Sequence, residues 1–215
     1  MRFVVTAGPT REWLDPVRFL SNPSTGKMGF AVARAARLAG HDVTLVAGPV
    51  ALRTPMGIHR VDVVTAREML AAVTSALAAA PAGETQALVM SAAVADWRPA
   101  ETASAKLKKR EMDGILRLVR NPDILKETRD VPNVVRVGFA AETGAPTAEA
   151  ARKCREKGLA LVVGNDVTAA GAGFGTDTNR VVFVTPDGTV TPLPLMGKLA
   201  VAKRIVRFVE GVVRG

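Results

Sequence analysis

Tyrosine is absent from this chain of 215 residues, cysteine occurs once, and histidine and tryptophan occur twice each. Each scarcity removes a class of chemistry. The single thiol, Cys154, excludes an internal disulfide and any cysteine-based metal cluster. It stands between Lys153 and Arg155, but no histidine partner for a nucleophilic cysteine is evident, so it reads as incidental. His41 and His59 open apolar strands away from any carboxylate cluster with ligand spacing, and read as structural. Without tyrosine there is no Tyr-Lys catalytic pair, and the turn after the first strand lacks Gly-x-Gly-x-x-Gly, which argues against a Rossmann-type oxidoreductase. Apolar runs stop well short of the roughly 20 residues that cross a bilayer. Met1-Arg2 leads directly into Phe3-Val4-Val5 without a signal-peptide pattern, so no membrane partner and a cytoplasmic location are expected.

What is plentiful is positive charge. The net charge is +9 and the pI near 10.4, a balance that favours anionic partners. No zinc-finger, RNP or homeodomain pattern accompanies it, so nucleic acid is not the expected partner. The cations cluster locally, five between Arg98 and Arg110 and four between Arg152 and Lys157, which suits a small polyphosphate. A basic nucleotide- or nucleic-acid-binding module stays as the non-enzymatic alternative, and it predicts steep salt dependence of oligonucleotide binding. The 48% hydrophobic content is enough for one α/β domain spanning residues 1–215.

The chain alternates strands with helices. Phe3 to Ala7, Asp42 to Ala47, Val61 to Val64, Leu88 running on to Asp96, Ile115 to Val119, Val134 to Val137 and Leu161 to Val163 read as strands. Helices are expected over about Ser24 to Leu38 and Ala66 to Ala80. Asn179 to Thr185 and Thr189 to Leu193 flank Pro186-Asp187-Gly188 as a hairpin, and Gly197 to Val213 closes the chain as an amphipathic helix. The expected fold is therefore a Rossmann-like, mostly parallel sheet with helices on both faces, a basic lid loop, and a C-terminal hairpin plus helix. Ligands of such folds bind above the carboxyl ends of the strands. The polar stretches Gly8 to Asn22, Asp96, Phe139 to Thr143 and Asn165-Asp166 all follow strands at that edge.

The central motif is Leu20-Ser21-Asn22-Pro23-Ser24-Thr25-Gly26-Lys27-Met28-Gly29. Asn22 could cap the following helix with Pro23 at its first position, or Ser24 could cap it, and either leaves backbone N–H groups facing forward. That is an anion site, to which Gly8, Ser24, Thr25, Gly26 and Lys27 are assigned as phosphate-binding residues. Residues 97–113, centred on Ala105-Lys106-Leu107-Lys108-Lys109-Arg110, read either as a solvated charge run or as a lid over phosphates.

Thr6-Ala7-Gly8-Pro9-Thr10-Arg11-Glu12, Asp15-Pro16-Val17-Arg18, Ser21 to Gly29, Ala92-Ala93-Val94-Ala95-Asp96, Lys106-Leu107-Lys108-Lys109, Asn121-Pro122-Asp123-Ile124 and Gly138 to Thr143 follow in order. In that order they closely resemble bacterial phosphopantothenoylcysteine synthetase. The likeness continues through Asn165-Asp166 and Gly173-Phe174-Gly175. The resemblance implies ligation of 4′-phosphopantothenate to L-cysteine in coenzyme A biosynthesis, driven by CTP with Mg²⁺. The expected path runs through an acyl-cytidylate, releasing pyrophosphate and then CMP, with ATP use as an alternative. It implies nucleotide contacts at Met90, Ser91, Ala92, Asp96, Lys106, Asn121, Pro122, Asp123, Ile124, Phe139, Lys153 and Lys157. Asn22 is expected to act on the acyl intermediate, with Arg18 and Lys106 as further catalytic residues and Asp96 as the candidate Mg²⁺ ligand. A homodimer is implied, as is a flavin-dependent decarboxylase partner, fused or separate. No flavin is expected in this chain.

Overall fold

The computed structural model describes residues 1–111, 114–173 and 175–215. Its main sheet has eight strands, β1 (Arg2–Ala7), β2 (Asp42–Ala47), β3 (His59–Asp62), β4 (Gln86–Met90), β5 (Val134–Glu142), β6 (Leu161–Asp166), β7 (Val181–Val184) and β8 (Val190–Pro192). They lie in the order β8-β7-β6-β5-β4-β1-β2-β3. β1 to β6 pair in parallel, and β7 and β8 add an antiparallel hairpin to one edge. The expected mostly parallel sheet with helices on both faces, closing hairpin and C-terminal helix is borne out.

Helices cover both faces. α1 (Lys27–Leu38) and α5 (Lys198–Arg214) pack with Phe3, Val5, Leu45 and Leu161 on one side, where Val201, Ile205 and Val209 fill the core. On the other, α2 (Ala66–Ala78), the single turn α3 (Ile124–Glu127) and α4 (Thr147–Glu156) bury Met69, Val73, Leu77, Ile124, Ala150 and Cys154 against Val4, Leu88 and Val162. β1 can present Val4 to one layer and Val5 to the other because successive side chains point to opposite faces; its continuous apolar run follows from burial on both. α2 begins with a capping box, Thr65 Oγ1 accepting from Glu68 N while Glu68 Oε2 accepts from Thr65 N. Glu12 adds a buried carboxylate oxygen 2.9 Å from Ala66 N at the same helix end.

Several expectations need correction. The stretch from Gly8 to Asn22 holds an antiparallel ribbon, Arg11–Trp13 with Phe19–Ser21. The third sheet strand is His59–Asp62, a little earlier than Val61 to Val64, because its pairing with β2 begins at Thr44–His59. β4 ends at Met90, so Asp96 lies in a loop beyond it, while Phe139 and Asn165 fall inside β5 and β6. The segment read as a strand from Ile115 to Val119 pairs only at Leu118–Arg120, with Trp97–Pro99. Asn179 belongs to a separate short ribbon with Met196–Gly197. The last two lid positions, 112 and 113, and Phe174 lie outside the described residues.

Of the two histidines, His41 is tied into the packed structure and His59 stands at the surface. His41 stacks on Phe3 with ring centroids 5.0 Å apart and places Nε2 2.9 Å from Glu210 Oε1, tying the end of α5 to the sheet. His59 opens β3 as an exposed residue. Cys154 is buried, its Sγ 3.2 Å from the Leu159 carbonyl, and burial pushes the thiol up, which suits an incidental core residue.

Candidate active site

β1 has β2 on one side and β4 on the other, so the strand order reverses there, and a crevice opens beyond the carboxyl ends of β1 and β4. Close backbone packing shapes its floor. Gly8 and Gly26 both have φ of 78°, and a Cβ on Gly29 would stand 2.5 Å from Ala7 Cβ and 2.6 Å from Thr6 O. Glycine therefore lets the first turn of α1 sit directly on the end of β1.

The helix begins later than its sequence indicates. Gly26 in the left-handed conformation is the N-cap, with no side-chain cap hydrogen bond among the described residues, so neither Asn22 nor Ser24 is the cap of α1. Pro23 and Ser24 belong to the approach. Tertiary contacts override the local cap signal because Gly26 is held against Gly8 and Val50. The consequence for an anion site is favourable. Among the described residues no side chain caps this first turn, which lines a cleft of about 750 Å³.

The opposite wall is the loop from Ser91 to Asp96. It is stitched to the loop after β1 by Ala92 N to Thr6 Oγ1 (3.1 Å), Ala93 N to Gly8 O (2.9 Å) and Ala95 N to Thr10 Oγ1 (3.0 Å). Thr6 and Thr10 are fully buried, so these bonds run in a low-dielectric setting where they fix geometry strongly. Asn22 reaches across the cleft and donates from Nδ2 to Ala93 O at 3.2 Å. Its amide is thus positioned on the loop that carries Asp96, not on the helix.

A third wall comes from the approach to α3. Asn121 donates to the Ala95 carbonyl (2.8 Å) and takes Arg98 Nη1 on its own oxygen (3.2 Å), so it holds the Asp96 loop to the ribbon behind it. Asp123 caps α3 and pairs with Lys157 at 2.7 Å. Burial works to raise the Asp123 carboxyl, but the Lys157 ammonium outweighs it and holds it below the usual carboxylate range. Lys153 donates to the Phe139 carbonyl at 2.8 Å; burial, reinforced by nearby Lys157, pushes its ammonium below the usual lysine range. A strongly desolvated cation with only carbonyl and distant carboxylate partners has a large potential gain from an arriving anion.

Sixteen of the expected positions line this one cleft: Asn22, Ser24, Thr25, Gly26, Lys27, Met90, Ser91, Ala92, Asp96, Asn121, Pro122, Asp123, Ile124, Phe139, Lys153 and Lys157. Gly8, Arg18 and Lys106 do not line it. Gly8 lies beneath, under the helix N-terminus. Arg18 clasps buried Asp15 with Nε at 3.0 Å and Nη2 at 2.5 Å, and also donates to the Leu107 carbonyl at 2.9 Å. Leu107 N in turn donates to Asp15 (3.2 Å), so Asp15 and Arg18 clamp the basic segment while Lys106 itself is exposed.

Sequence reasoning missed Lys198, which opens α5 and is buried at the cleft margin. Its Nζ donates to Gly173 O (3.2 Å) and Thr176 O (2.6 Å), and burial, with nearby Lys27, pushes its ammonium down. No local motif marks it, because it reads as one more helix-face lysine. Asn165, a strand-end polar group in the sequence, donates to Ala172 O at 3.0 Å while its buried Oδ1 beside the cleft has no hydrogen-bond partner among the described residues. Among the described residues no group of three or more His, Cys, Asp or Glu could hold a metal by itself. No helix among them is long and apolar enough to cross a membrane.

An open, mostly parallel α/β sheet with a cation-lined cleft over a helix N-terminus, at the point where strand order reverses, defines a class built to hold anionic ligands. Within that class the chain belongs to the family described as the DNA/pantothenate metabolism flavoprotein C-terminal domain, which it matches over residues 1–212. It is 45% identical over 211 residues to the Coenzyme A biosynthesis bifunctional protein CoaBC of Bacillus subtilis (strain 168), covering 97% of this chain and 51% of that protein. To the CoaBC of Escherichia coli (strain K12) it is 44% identical over 223 residues, covering 98% of this chain and 53% of that protein. The chain spans about half the length of the curated relatives it matches. A crystal structure of the C-terminal domain of CoaBC superposes with a TM-score of 0.82 at 36% identity, covering 99% of this chain and 95% of that one. A Cab2 mutant in complex with phosphopantothenate-cysteine shares the fold, with a TM-score of 0.75 at 17% identity, covering 99% of this chain and 88% of that one. The resemblance read from the ordered motifs, to the synthetase part of this bifunctional protein, holds.

Proposed function

We propose that this chain joins 4′-phosphopantothenate to L-cysteine, using CTP, in coenzyme A biosynthesis. The observation that carries the reading is convergence: Asn22, the uncapped first turn of α1, Asp96 and desolvated Lys153 all face one cleft. A carboxylate attacking an α-phosphate brings two anions together, so the first need is fixed positive potential, supplied by helix N–H groups and lysines. The products of that half-reaction are an acyl-cytidylate and pyrophosphate. Cysteine then attacks the acyl carbon and CMP leaves. Asn22 already spends one amide hydrogen on Ala93 O, and its second can be offered to the acyl oxygen as charge develops there. Mg²⁺, with most of its ligands taken from triphosphate and water, would find one oxygen in Asp96 and would neutralise phosphate charge there.

The chain is proposed to act as a homodimer. Trp97, Ile115, Leu116 and Leu118 are exposed on the 97–120 ribbon and its approach, and Val17 and Phe19 on the neighbouring 11–21 ribbon, an apolar face that a second copy would cover. The same face carries Arg18 and the clamped Lys106 segment, so pairing there would bring both beside the partner copy and account for their position outside their own chain's cleft. The test is pyrophosphate release with CTP, 4′-phosphopantothenate and cysteine, each omitted in turn, and with ATP in place of CTP. Release that needs CTP and phosphopantothenate but not cysteine supports the two-step path. Release that needs no phosphopantothenate would refute it.

A further inference from the structure

A second groove of about 310 Å³ lies on the outer side of α1, against the connection between β2 and β3. Its helix wall is Lys27, Phe30, Ala31 and Arg34, spaced i, i+3, i+4 and i+7 and therefore on one face. The facing wall, Leu52, Arg53 and Pro55, is held in place by Arg60, which donates to the Leu52 carbonyl (2.9 Å) and sits 5.5 Å from the Phe30 ring centroid. Leu199 and Lys198 close the end.

The groove is charged unevenly. Lys27, Arg34, Arg53 and Lys198 line it against one carboxylate, Asp177, which is already taken by Lys27 at 2.7 Å. Arg34 and Arg53 are exposed and make no ion pair or side-chain hydrogen bond among the described residues. Two unpaired guanidiniums flanking an apolar strip of Phe30, Leu52 and Leu199 match a molecule with an anionic head and a short apolar tail. Guanidinium forks favour phosphate or carboxylate oxygens, and the strip offers nothing to a second polar group.

We infer that this groove is a binding site for a small amphiphilic anion, a phosphate monoester or carboxylate on an aliphatic chain, distinct from the catalytic cleft. Lys27 and Lys198 stand in the walls of both cavities, so an occupant acts on cations the cleft also uses. The inference is independent of which reaction the cleft performs.

The test is titration of the isotope-labelled full chain with n-butyl phosphate, followed by backbone amide NMR, with inorganic phosphate and n-butanol as parallel probes. Saturable shifts are expected at Arg34, Leu52, Arg53 and Leu199. Binding there should be at least tenfold tighter for n-butyl phosphate than for either control. The double variant Arg34→Glu, Arg53→Glu is expected to lose this binding by at least tenfold while phosphate shifts at Ser24 to Gly26 persist, which also reports that the fold is intact. Absence of saturable shifts in the groove, equal binding of inorganic phosphate, or an unaffected double variant would each overturn the inference. So would groove shifts that follow protein concentration together with a changed sedimentation coefficient in the double variant, since the face would then be a contact between copies of the chain.

Discussion

At the scale of single residues, the role proposed for Asn22 predicts that its substitution separates the two proposed half-reactions. Asn22→Asp keeps nearly the same volume but puts a negative charge where, in the proposed reaction, an amide N–H would face the developing oxyanion. Loss of one such donor is worth roughly 2.7 to 4 kcal/mol, so formation of the cysteine adduct should fall by two to three orders of magnitude while one equivalent of pyrophosphate is still released. Mass spectrometry of the variant with CTP, Mg²⁺ and 4′-phosphopantothenate should show an accumulated acyl-cytidylate; normal turnover would leave Asn22 a mere tether to Ala93. Lys153 gives a pH prediction. Its folded pKa is lowered by burial, so just below the usual lysine range the unfolded chain binds more protons, and stability should rise with pH through that window. A triphosphate bound beside it, as proposed, would favour the charged form and reverse the shift. Calorimetry of CTP binding at alkaline pH, in buffers of different ionisation enthalpy, should show net proton uptake that Lys153→Met reduces.

At the scale of elements, the seat of α1 on β1 depends on Gly29. A methyl group there meets Ala7 Cβ and Thr6 O below 3 Å, backbone included, so Gly29→Ala should destabilise by about 1–3 kcal/mol and lower the thermal midpoint. An unchanged midpoint would show that the helix can shift without cost. The basic segment is the second element-level case. Asp15, fully buried, accepts from Val17 N, Arg18 N, the Arg18 guanidinium and Leu107 N, and the Arg18 guanidinium, first among these, holds its carboxyl far below the usual range. A depressed carboxylate pKa contributes stability above its unfolded value that is lost only as pH falls through the folded one, so the clamp should persist until strong acid. Asp15→Ala should free the segment and speed tryptic cleavage at Lys106, Lys108 and Lys109. Lys106→Ala should lower kcat/KM for CTP by about 10- to 100-fold with the fold unchanged, if its charge meets phosphate. Wild-type kinetics would make the run a solvated face.

At the scale of the whole molecule, the proposed homodimer would cover the exposed apolar ribbons. Ile115→Glu with Leu118→Glu should shift sedimentation from dimer to monomer and reduce turnover, while intrinsic folding, read by circular dichroism, stays intact. A chain that sediments identically with and without the substitutions would remove that face from the assembly.

The sequence by itself determined the central parallel strands and the helices α1, α2 and α5, because buried parallel strands must be continuous apolar runs and helices must carry an apolar stripe, as Phe3 to Ala7 and Met69, Val73 and Leu77 do. By contrast, α3, α4 and the short antiparallel ribbons emerge only in the tertiary structure. The sequence also indicated the edge where the polar motifs gather, and sixteen of the expected positions do line one cleft there. Short-range signals misled where long-range contacts compete with them. Asn22, Pro23 and Ser24 look like a helix start, yet Gly26 packed on Gly8 sets the start instead, and Asn22 is drawn to Ala93, 71 residues away. Lys198 carries no local mark at all, because what distinguishes it from other lysines is burial against Gly173 and Thr176. Which lysines lose their water, and which polar loops are stitched together by buried Thr6 and Thr10, depends on neighbours distant in the chain. Desolvation is a property of the packed neighbourhood, and only the tertiary structure decides it.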